Sequence, residues 1–521
     1  MTINENTYIK AMIIDSQMSP PLSTAPSCFS WCAAAEKKQL PSPFGWKETI
    51  KPCCFSRLRN DSIATITEQK DESREMSKYL TAGNCIWYKL VRAFPRSQAD
   101  VKNLFRIKDV DNLTVDMWRL PSRPGSSVDM AVSPRDFLKL KRLLSSCTIA
   151  YKVQISDIQA VINRQNDERN DSFSWHRTYH TFEQIVSHMK HINQTTKIVD
   201  MKSIGKSFEN RDLFIMQIHA DKQTKKPLVF INCGIHAREW ISPATCMYVI
   251  DQIVSLYGKD TYVTDMLNKV DLTILPVLNV DGYVYSWSKE RLWRKNRSFN
   301  KGSNCIGTDL NRNWQFKWGG VGASEDPCAG DYRGASPMSE KEVQSINRFL
   351  KSEVRRIAGY LDVHSYSQLW MIPWACDTTK VKDYDELVSG DITPNPGPQK
   401  CNVCSRTLAR NRLSSIVISV KVEYTQNVEK LSSVNTNGYT LYLDSSNMCV
   451  HDLFDLCTGT LQDYVYGSLG VKYSFTVELR DKGHFGFLLP SEYIEPTAKE
   501  LFEGLKTMIK EISVLTMKQQ Q

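Results

Sequence analysis

The 521-residue sequence contains no run close to the ~18 consecutive apolar residues that a transmembrane helix needs, which predicts a soluble chain without a membrane span. Glycine (24 residues) and proline (21 residues) are not abundant, so collagen-like and low-complexity architectures are excluded for the chain as a whole. Long runs of one charge are also missing, because the net charge of +9 is spread along the sequence. We therefore expect a globular protein with no nucleic-acid partner.

Several catalytic signatures are missing as well. The sequence has no Gly-x-Ser-x-Gly and no His-Glu-x-x-His, so serine hydrolases of the nucleophile-elbow type and zincin proteases find no support. Gly205-Lys206-Ser207 is similar to the end of a phosphate-binding loop, but the first glycine of that motif would fall on Asp200. A nucleotide-binding loop is therefore not predicted.

The N-terminal part of the sequence has no secretory layout. Its first residues lack the basic, apolar and small-residue order of a signal peptide, whereas 15 cysteines favour an oxidising compartment. Because 15 is odd, at least one cysteine stays without a partner within the chain. Residues 1–84 mix Ser, Pro and Thr with charged side chains and show no sustained periodicity. We interpret them as a disordered head.

From residue 85 onward, the pattern changes to short strands and amphipathic helices. Ser97 and Ser133 occupy positions typical of helix caps, and each is followed three residues later by an aspartate. Two helices on one face of a small sheet predict an α+β module over residues 85–162. Later strands of this module are expected within residues 113–120, 127–132 and 148–155.

Residues 163–171 are polar and almost without apolar anchors. We interpret them as a linker in which Arg164 and Arg169 are accessible to a trypsin-like protease. Beyond the linker, residues 172–515 alternate between strand-like and helical runs, which predicts an α/β domain with a buried mixed sheet. In such a domain the functional sites lie at the carboxyl ends of the strands.

One motif lies where such a site is expected, in residues 234–240 between a predicted strand and a helix. His236 and Glu239 are three residues apart and can converge on one Zn²⁺. His364 follows another predicted strand, 125 residues after Glu239, and can supply a third ligand. Taken alone, each histidine is more often an ordinary core or surface residue, and His-x-x-Glu is common by chance.

The neighbouring sequence resolves this ambiguity. Besides residues 234–240 and 364–368, the informative blocks are residues 279–283, 291–295, 307–314, 475–481 and 486–490. In these blocks, residues 172–515 resemble the zinc metallocarboxypeptidases of the pancreatic A/B type, and residues 85–170 resemble the activation segment of their zymogens. The resemblance implies a mixed-sheet carboxypeptidase domain with helices on both faces, preceded by the α+β module.

The resemblance implies a catalytic centre with one Zn²⁺ per chain. His236, Glu239 and His364 would bind the ion and leave a fourth position for water, whose pKa falls from ~15.7 towards ~7. Glu478 would take the proton of this water as the general base and pass it to the leaving amine. Arg294 would face the carbonyl oxygen, where negative charge develops in the transition state.

The resemblance also implies how the substrate is bound. Asn311 and Arg312 would bind a free C-terminal carboxylate, because a planar guanidinium matches the two carboxylate oxygens. Arg238 would be an accessory contact for the same end of the peptide, although a structural salt bridge is an equally good interpretation of this residue. Asp309 would orient the imidazole of the first histidine. The remaining expected substrate contacts are Tyr366, Gln462 and Phe487.

Cys305 and Cys328 match a disulfide of the family, although a pair of free thiols is the alternative. The bridge favours a secreted, extracellular protein. The resemblance therefore predicts a zymogen that trims peptide or protein C-termini as a monomer. A trypsin-like protease would activate it.

The resemblance fails in residues 389–455, where the chain is longer than the family. The family's mobile tyrosine, which closes over the substrate, falls on Asp455, and Tyr439 and Tyr442 are out of register. Gln462 occupies the specificity position and indicates no preferred C-terminal residue. A second zinc site is a weak alternative here, since only one Cys-x-x-Cys is present. Its ligands would be Cys401, Cys404, Cys449 and His451.

One hypothesis explains the missing signal, the unusual head and the insert together: a gene prediction that has joined intronic or upstream sequence to a real procarboxypeptidase. Two functional alternatives remain open. One is a catalytically impaired peptide-binding relative, in which the insert removes the substrate-closing tyrosine. The other is a deacylase that acts on N-acyl amino acids, against which the Asn311 and Arg312 pair and the activation module both argue.

Overall fold

The computed structural model describes residues 88–110, 113–167, 174–384, 387 and 456–518. All structural statements below concern these residues. The predicted head and the whole of the predicted insert lie outside them. No helix in the described part of the chain combines the length and apolar character that crossing a membrane requires.

The N-terminal module is a four-stranded antiparallel sheet with two helices packed against it. Its strand order is β2-β3-β1-β4. Both predicted helix caps are confirmed: Ser97 accepts from the backbone N–H of Asp100, and Ser133 from that of Asp136. The strands and helices are β1 (Lys89–Phe94), α1 (Gln98–Phe105), β2 (Val115–Arg119), β3 (Val128–Val132), α2 (Pro134–Ser146) and β4 (Ala150–Ile155).

The predicted linker is wrong in its first half. Helix α3 (Ile158–Asp167) continues through residues 163–167, and the rest of the predicted linker, with Arg169, lies outside the described residues. The helix forms because Ile162 is buried and because Gln165 donates a hydrogen bond to the carbonyl of Leu489 at 2.8 Å. Arg164 lies exposed in the last turn of this helix.

The larger domain is built on a seven-stranded mixed sheet with the order β10-β11-β9-β7-β8-β6-β5. The four central strands, β11, β9, β7 and β8, run parallel to one another. The outer strands pair antiparallel: β10 with β11, β6 with β8, and β5 with β6. The strands are β5 (Val199–Lys206), β6 (Asp212–Ile218), β7 (Leu228–Cys233), β8 (Asp271–Leu275), β9 (Ile357–Ser365), β10 (Leu369–Met371) and β11 (Tyr473–Leu479).

Helices cover both faces of this sheet. Along β7, Val229 and Ile231 belong to one buried apolar cluster and Phe230 to another, because successive side chains of a strand point to opposite faces. The first cluster is shared with helices α4 (Phe182–Thr195), α5 (Ile241–Leu256), α6 (Thr261–Lys269), α7 (Val280–Ser288) and α10 (Ile494–Lys518). The second is shared with α8 (Lys341–Glu353) and α9 (Leu461–Gly467).

Candidate active site

A sharp turn after β7 carries the first two candidate ligands. Gly234 has φ of +66°, and a Cβ atom there would lie 3.0 Å from the ring of Pro243, so the turn requires glycine. The carbonyl of Gly234 accepts from the backbone N–H of Asn279 at 3.0 Å. The turn thus places His236 and Glu239 between the end of β7 and the start of α5.

The three predicted ligands converge. Glu239 lies between the two imidazoles, with His236 Nδ1 2.8 Å from its Oε1 and His364 Nδ1 3.2 Å from its Oε2. One ligand atom from each residue lies within 4.8 Å of the others, and all three residues are buried. Burial opposes ionisation of Glu239, but the two imidazoles lower its pKa below the usual range. Two neutral imidazoles and a carboxylate are a donor set that Zn²⁺ takes, so these residues fit the ion.

Asp309 contacts the imidazole of His236 on the side away from the other two ligands. Its Oδ1 lies 3.2 Å from His236 Nε2, which leaves Nδ1 facing the other two ligands. Its Oδ2 accepts from Arg294 Nε at 3.1 Å and Nη2 at 2.8 Å. Burial raises the pKa of Asp309, but Arg294, His236 and Arg312 together hold it well below the usual range. The carboxylate is therefore charged and fixes both an imidazole and a guanidinium.

Glu478 lies next to the ligand cluster. It is the register partner of His364 on the neighbouring parallel strand, so both side chains leave the sheet on the same side. Its Oε2 is buried and has no hydrogen-bond partner among the described residues. Burial raises the pKa of this carboxyl. A carboxyl with a raised pKa beside a metal-ligand cluster is typical of a catalytic acid or base.

The predicted carboxylate-binding pair lies beside the same cluster. Arg312 donates from Nε to the carbonyl of Gly322 at 2.7 Å and from Nη1 to the carbonyl of Asn311 at 2.9 Å. The side chain of Asn311 accepts from the backbone N–H of Leu461, and its Nδ2 lies 3.3 Å from His364 Nε2. These contacts hold the guanidinium and the amide in fixed orientations.

Gln462 is buried in the wall formed by β10 and β11. Its Nε2 donates to the carbonyls of Met371 at 3.0 Å and Ser474 at 3.3 Å. Its Oε1 accepts from the hydroxyl of Thr476 at 3.0 Å. The amide is thus bound to the surrounding protein through both its nitrogen and its oxygen.

Strand β2 of the N-terminal module contacts two of the predicted substrate-binding residues, Arg238 and Phe487, and the neighbouring Ser367. Arg238 donates from Nη1 to both carboxylate oxygens of Asp116 in β2, at 3.1 and 2.8 Å. Trp118 of the same strand packs on Phe487, with ring centroids 5.1 Å apart. Arg119 donates to the hydroxyl of Ser367 at 3.0 Å. Strand β2 therefore lies against the candidate cleft.

Asp129 in β3 makes a second, buried contact with the larger domain. It accepts from the hydroxyl of Tyr366 at 2.8 Å and from the Nε and Nη2 of Arg92 at 2.6 and 2.8 Å. Arg92 also donates to the carbonyl of Gly483 at 2.6 Å. Tyr366 was predicted from the sequence as a substrate contact, but Asp129 and Arg92 were not predicted. The one available signal was a charged residue, Asp129, within the apolar segment Val128–Val132.

Two disulfides are present in the described part of the chain. One joins Cys305 to Cys328, and the other joins Cys233 at the end of β7 to Cys246 in α5. The second was not predicted, because a spacing of 13 residues carries no recognisable signature. The alternative zinc ligands and the tyrosine candidates of the insert lie outside the described residues. They are Cys401, Cys404, Cys449, His451, Tyr439, Tyr442 and Asp455.

Comparison with known proteins identifies both regions. A family model of zinc carboxypeptidases matches residues 185–504, and one of carboxypeptidase activation peptides matches residues 91–165. Carboxypeptidase A2 of Mus musculus is 34% identical over 432 residues, covering 81% of this chain and 93% of the relative. Carboxypeptidase B2 of Homo sapiens is 37% identical over 391 residues, covering 73% and 82%.

The fold is also similar to that of a solved structure. Thrombin activatable fibrinolysis inhibitor aligns with a TM-score of 0.66 and 30% identity, covering 82% of this chain and 98% of that chain. The predicted fold class, a mixed-sheet α/β domain after a small α+β module, is confirmed.

Proposed function

The chain belongs to the zinc carboxypeptidase family and carries the family's activation-peptide domain, and from this premise we propose that it is the zymogen of a secreted exopeptidase that cleaves C-terminal peptide bonds. The observation that carries the proposal is the convergence of His236, Glu239 and His364 beside the buried carboxyl of Glu478. The two disulfides support an extracellular location.

The proposed chemistry divides between the metal and the residues around it. His236, Glu239 and His364 would hold the family's Zn²⁺, which when bound supplies a Lewis acid and a water of lowered pKa. Glu478 would accept the proton of the attacking water and donate it to the leaving amine. Its Oε2 is buried and accepts no hydrogen bond within the described part of the chain, which supports this role, because a general base must be free to approach the proton that it abstracts.

The cationic groups of the cleft would bind the substrate. Arg294 would stabilise negative charge on the carbonyl oxygen, with its guanidinium held by the two hydrogen bonds to Asp309. Arg312 and Asn311 would bind the free carboxylate of the terminal residue. Tyr366, Gln462 and Phe487 would line the rest of the cleft. A preference for free C-termini follows, because an internal bond offers no carboxylate to this pair.

The N-terminal module would keep the enzyme inactive. The carboxylate of Asp116 accepts a hydrogen bond from Arg238, which is the proposed accessory contact for the substrate. The module thus blocks this contact with a carboxylate of its own. Asp129 and Trp118 engage Tyr366 and Phe487 at the same time. Cleavage near Arg164 or Arg169 by a trypsin-like protease would release the module and open the cleft.

Hydrolysis before and after limited trypsin treatment tests this function. We expect release of the C-terminal residue from a free-acid peptide to rise after cleavage, with no hydrolysis of the same peptide carrying a C-terminal amide. Equal rates before and after cleavage would contradict the zymogen proposal. Bound zinc without turnover would instead indicate a peptide-binding relative, and a preference for N-acyl amino acids would indicate a deacylase.

A further inference from the structure

We propose that Cys376 and Cys457 form a disulfide bond that joins the chain before residues 377–456 to the chain after them, beside the substrate cleft. Both residues are half-buried and carry free thiols in this structure. This inference goes beyond the proposed function, since it concerns a covalent bond that can be mapped whether or not the protein hydrolyses peptides.

The backbone already holds the two residues together. The N–H of Cys457 donates to the carbonyl of Ala375 at 2.9 Å, and that carbonyl carbon is bonded directly to the nitrogen of Cys376. Standard bond lengths then keep the two Cα atoms within about 7 Å, and natural disulfides have Cα separations of ~4.4–6.8 Å. The backbone therefore places the two cysteines at a separation that a disulfide can bridge.

Neighbouring contacts fix both segments in place. Asp463 accepts hydrogen bonds from the backbone N–H groups of Ala375, at 2.9 and 3.1 Å, and of Cys376, at 2.9 Å. On the other segment, the N–H of Thr458 donates to the carbonyl of Val321 at 3.1 Å. The separation of the two cysteines is thus set by structure on both sides.

Bond formation removes one hydrogen from each thiol and joins the two sulfurs. The two electrons and two protons pass to the disulfide of a thiol–disulfide oxidoreductase, which leaves as two thiols. Burial raises the pKa of both cysteines in the folded chain, so the reactive thiolate is scarce there. The bond therefore forms while the chain folds in an oxidising compartment.

The bond would stabilise one wall of the cleft. A Cβ atom at Gly322 would meet the Cα of Cys457 at 2.9 Å, so these two backbones are in contact. The carbonyl of Gly322 in turn accepts from Arg312 Nε. A disulfide at Cys457 thereby restrains the backbone that positions the proposed carboxylate-binding guanidinium.

Peptide mapping of the full chain, secreted from cells and alkylated under denaturing conditions without reduction, tests the bond. We expect a peptide containing Cys376 linked to one containing Cys457. The Cys305–Cys328 link in the same digest is the control for oxidising conditions. Alkylation of both Cys376 and Cys457, or a link from either one to another cysteine such as Cys449, would overturn the proposal.

A double-mutant cycle gives an independent readout. The variants Cys376→Ser and Cys457→Ser should each lower the thermal midpoint of unfolding, and the double variant should lower it no further than either single one, because each removes the same bond. Cys147→Ser, in the N-terminal module, is the control and should retain the Cys376–Cys457 link. Additive shifts from the two single variants would contradict a shared bond.

Discussion

Arg238 of the peptidase domain donates from one guanidinium nitrogen to both carboxylate oxygens of Asp116 in the activation module, at 3.1 and 2.8 Å. Arg238 is nearly buried, whereas the Asp116 side chain is 46% exposed. The module thus places a carboxylate on a cation that is proposed to contact the carboxyl end of the substrate. In the zymogen the module would then inhibit in two ways: it would cover the cleft, and it would bind Arg238 in place of the substrate.

The Asp116→Asn variant should raise the activity of the uncleaved zymogen. Because the Asp116 carboxylate is partly exposed to solvent, we expect loss of the ion pair to cost ~1 kcal/mol, or about fivefold in rate. Asp129→Asn should raise it further, since Asp129 is fully buried and holds Arg92 and Tyr366. Initial rates on a free-acid peptide measure both effects. After trypsin removes the module, both variants must match the wild type, and a difference that persists would refute this explanation.

Glu478→Gln should abolish proton transfer while preserving the shape of the site. We expect kcat of the activated enzyme to fall by ~10²–10⁴, the range that general-base catalysis contributes, with little change in KM. Zinc content, measured by mass spectrometry, should stay at the wild-type level. Retention of more than a tenth of the wild-type kcat would show that another group accepts the proton.

Arg312→Lys should weaken recognition of the terminal carboxylate. Lysine keeps the charge but loses the planar fork, and a charge-assisted hydrogen bond is worth ~1.5–3 kcal/mol, so kcat/KM should fall by ~10–100-fold. The measurement compares a free-acid peptide with its C-terminal amide in both proteins. If the ratio of kcat/KM for the free acid to that for the amide is the same in both proteins, Arg312 does not bind the terminal carboxylate.

Glu342 should make the protein less stable as the pH rises. Burial raises its pKa from 4.5 to about 7, with Asp281 and Glu340 adding repulsion. The folded state therefore binds the proton more tightly than the unfolded state. The contribution of Glu342 to stability is greatest below pH 4.5, decreases between pH 4.5 and 7, and stays low above pH 7, a loss of about 3 kcal/mol from this group.

Urea unfolding of Glu342→Gln at pH 5 and pH 8 tests this linkage. The amide stays neutral, so the variant should be more stable than the wild type at pH 8 and should lose most of that advantage at pH 5. Glu183→Gln, at an exposed position in the first turn of α4, is the matched control. An equal difference between Glu342→Gln and wild type at both pH values would exclude titration of Glu342 as the cause.

Much of the fold was predictable because helix-capping residues and apolar runs in the sequence match the helices and buried strands of the structure. The serines at 97 and 133 cap helices as their spacing predicts, and the apolar run of β7 is buried on both faces. The family and its zinc cofactor were predicted from short blocks around the strand ends, and both are confirmed. The strand ends also explain why His236 and His364, distant in sequence, lie together.

The missed features depend on contacts between distant segments. Helix α3 extends into a polar stretch because Gln165 binds a carbonyl 324 residues away, which no local pattern records. The pairing of Asp116 with Arg238 joins two domains and leaves no periodic signal. The residue roles proposed for the catalytic centre remain predictions.

Zinc stoichiometry of the purified, full-length protein tests the central claim most directly. We predict one zinc ion per chain in the wild type and less than a tenth of that in His364→Ala, with His191→Ala, an exposed histidine outside the cluster, retaining the full amount. A wild type without zinc, or a His364→Ala variant that keeps one ion per chain, would contradict the account.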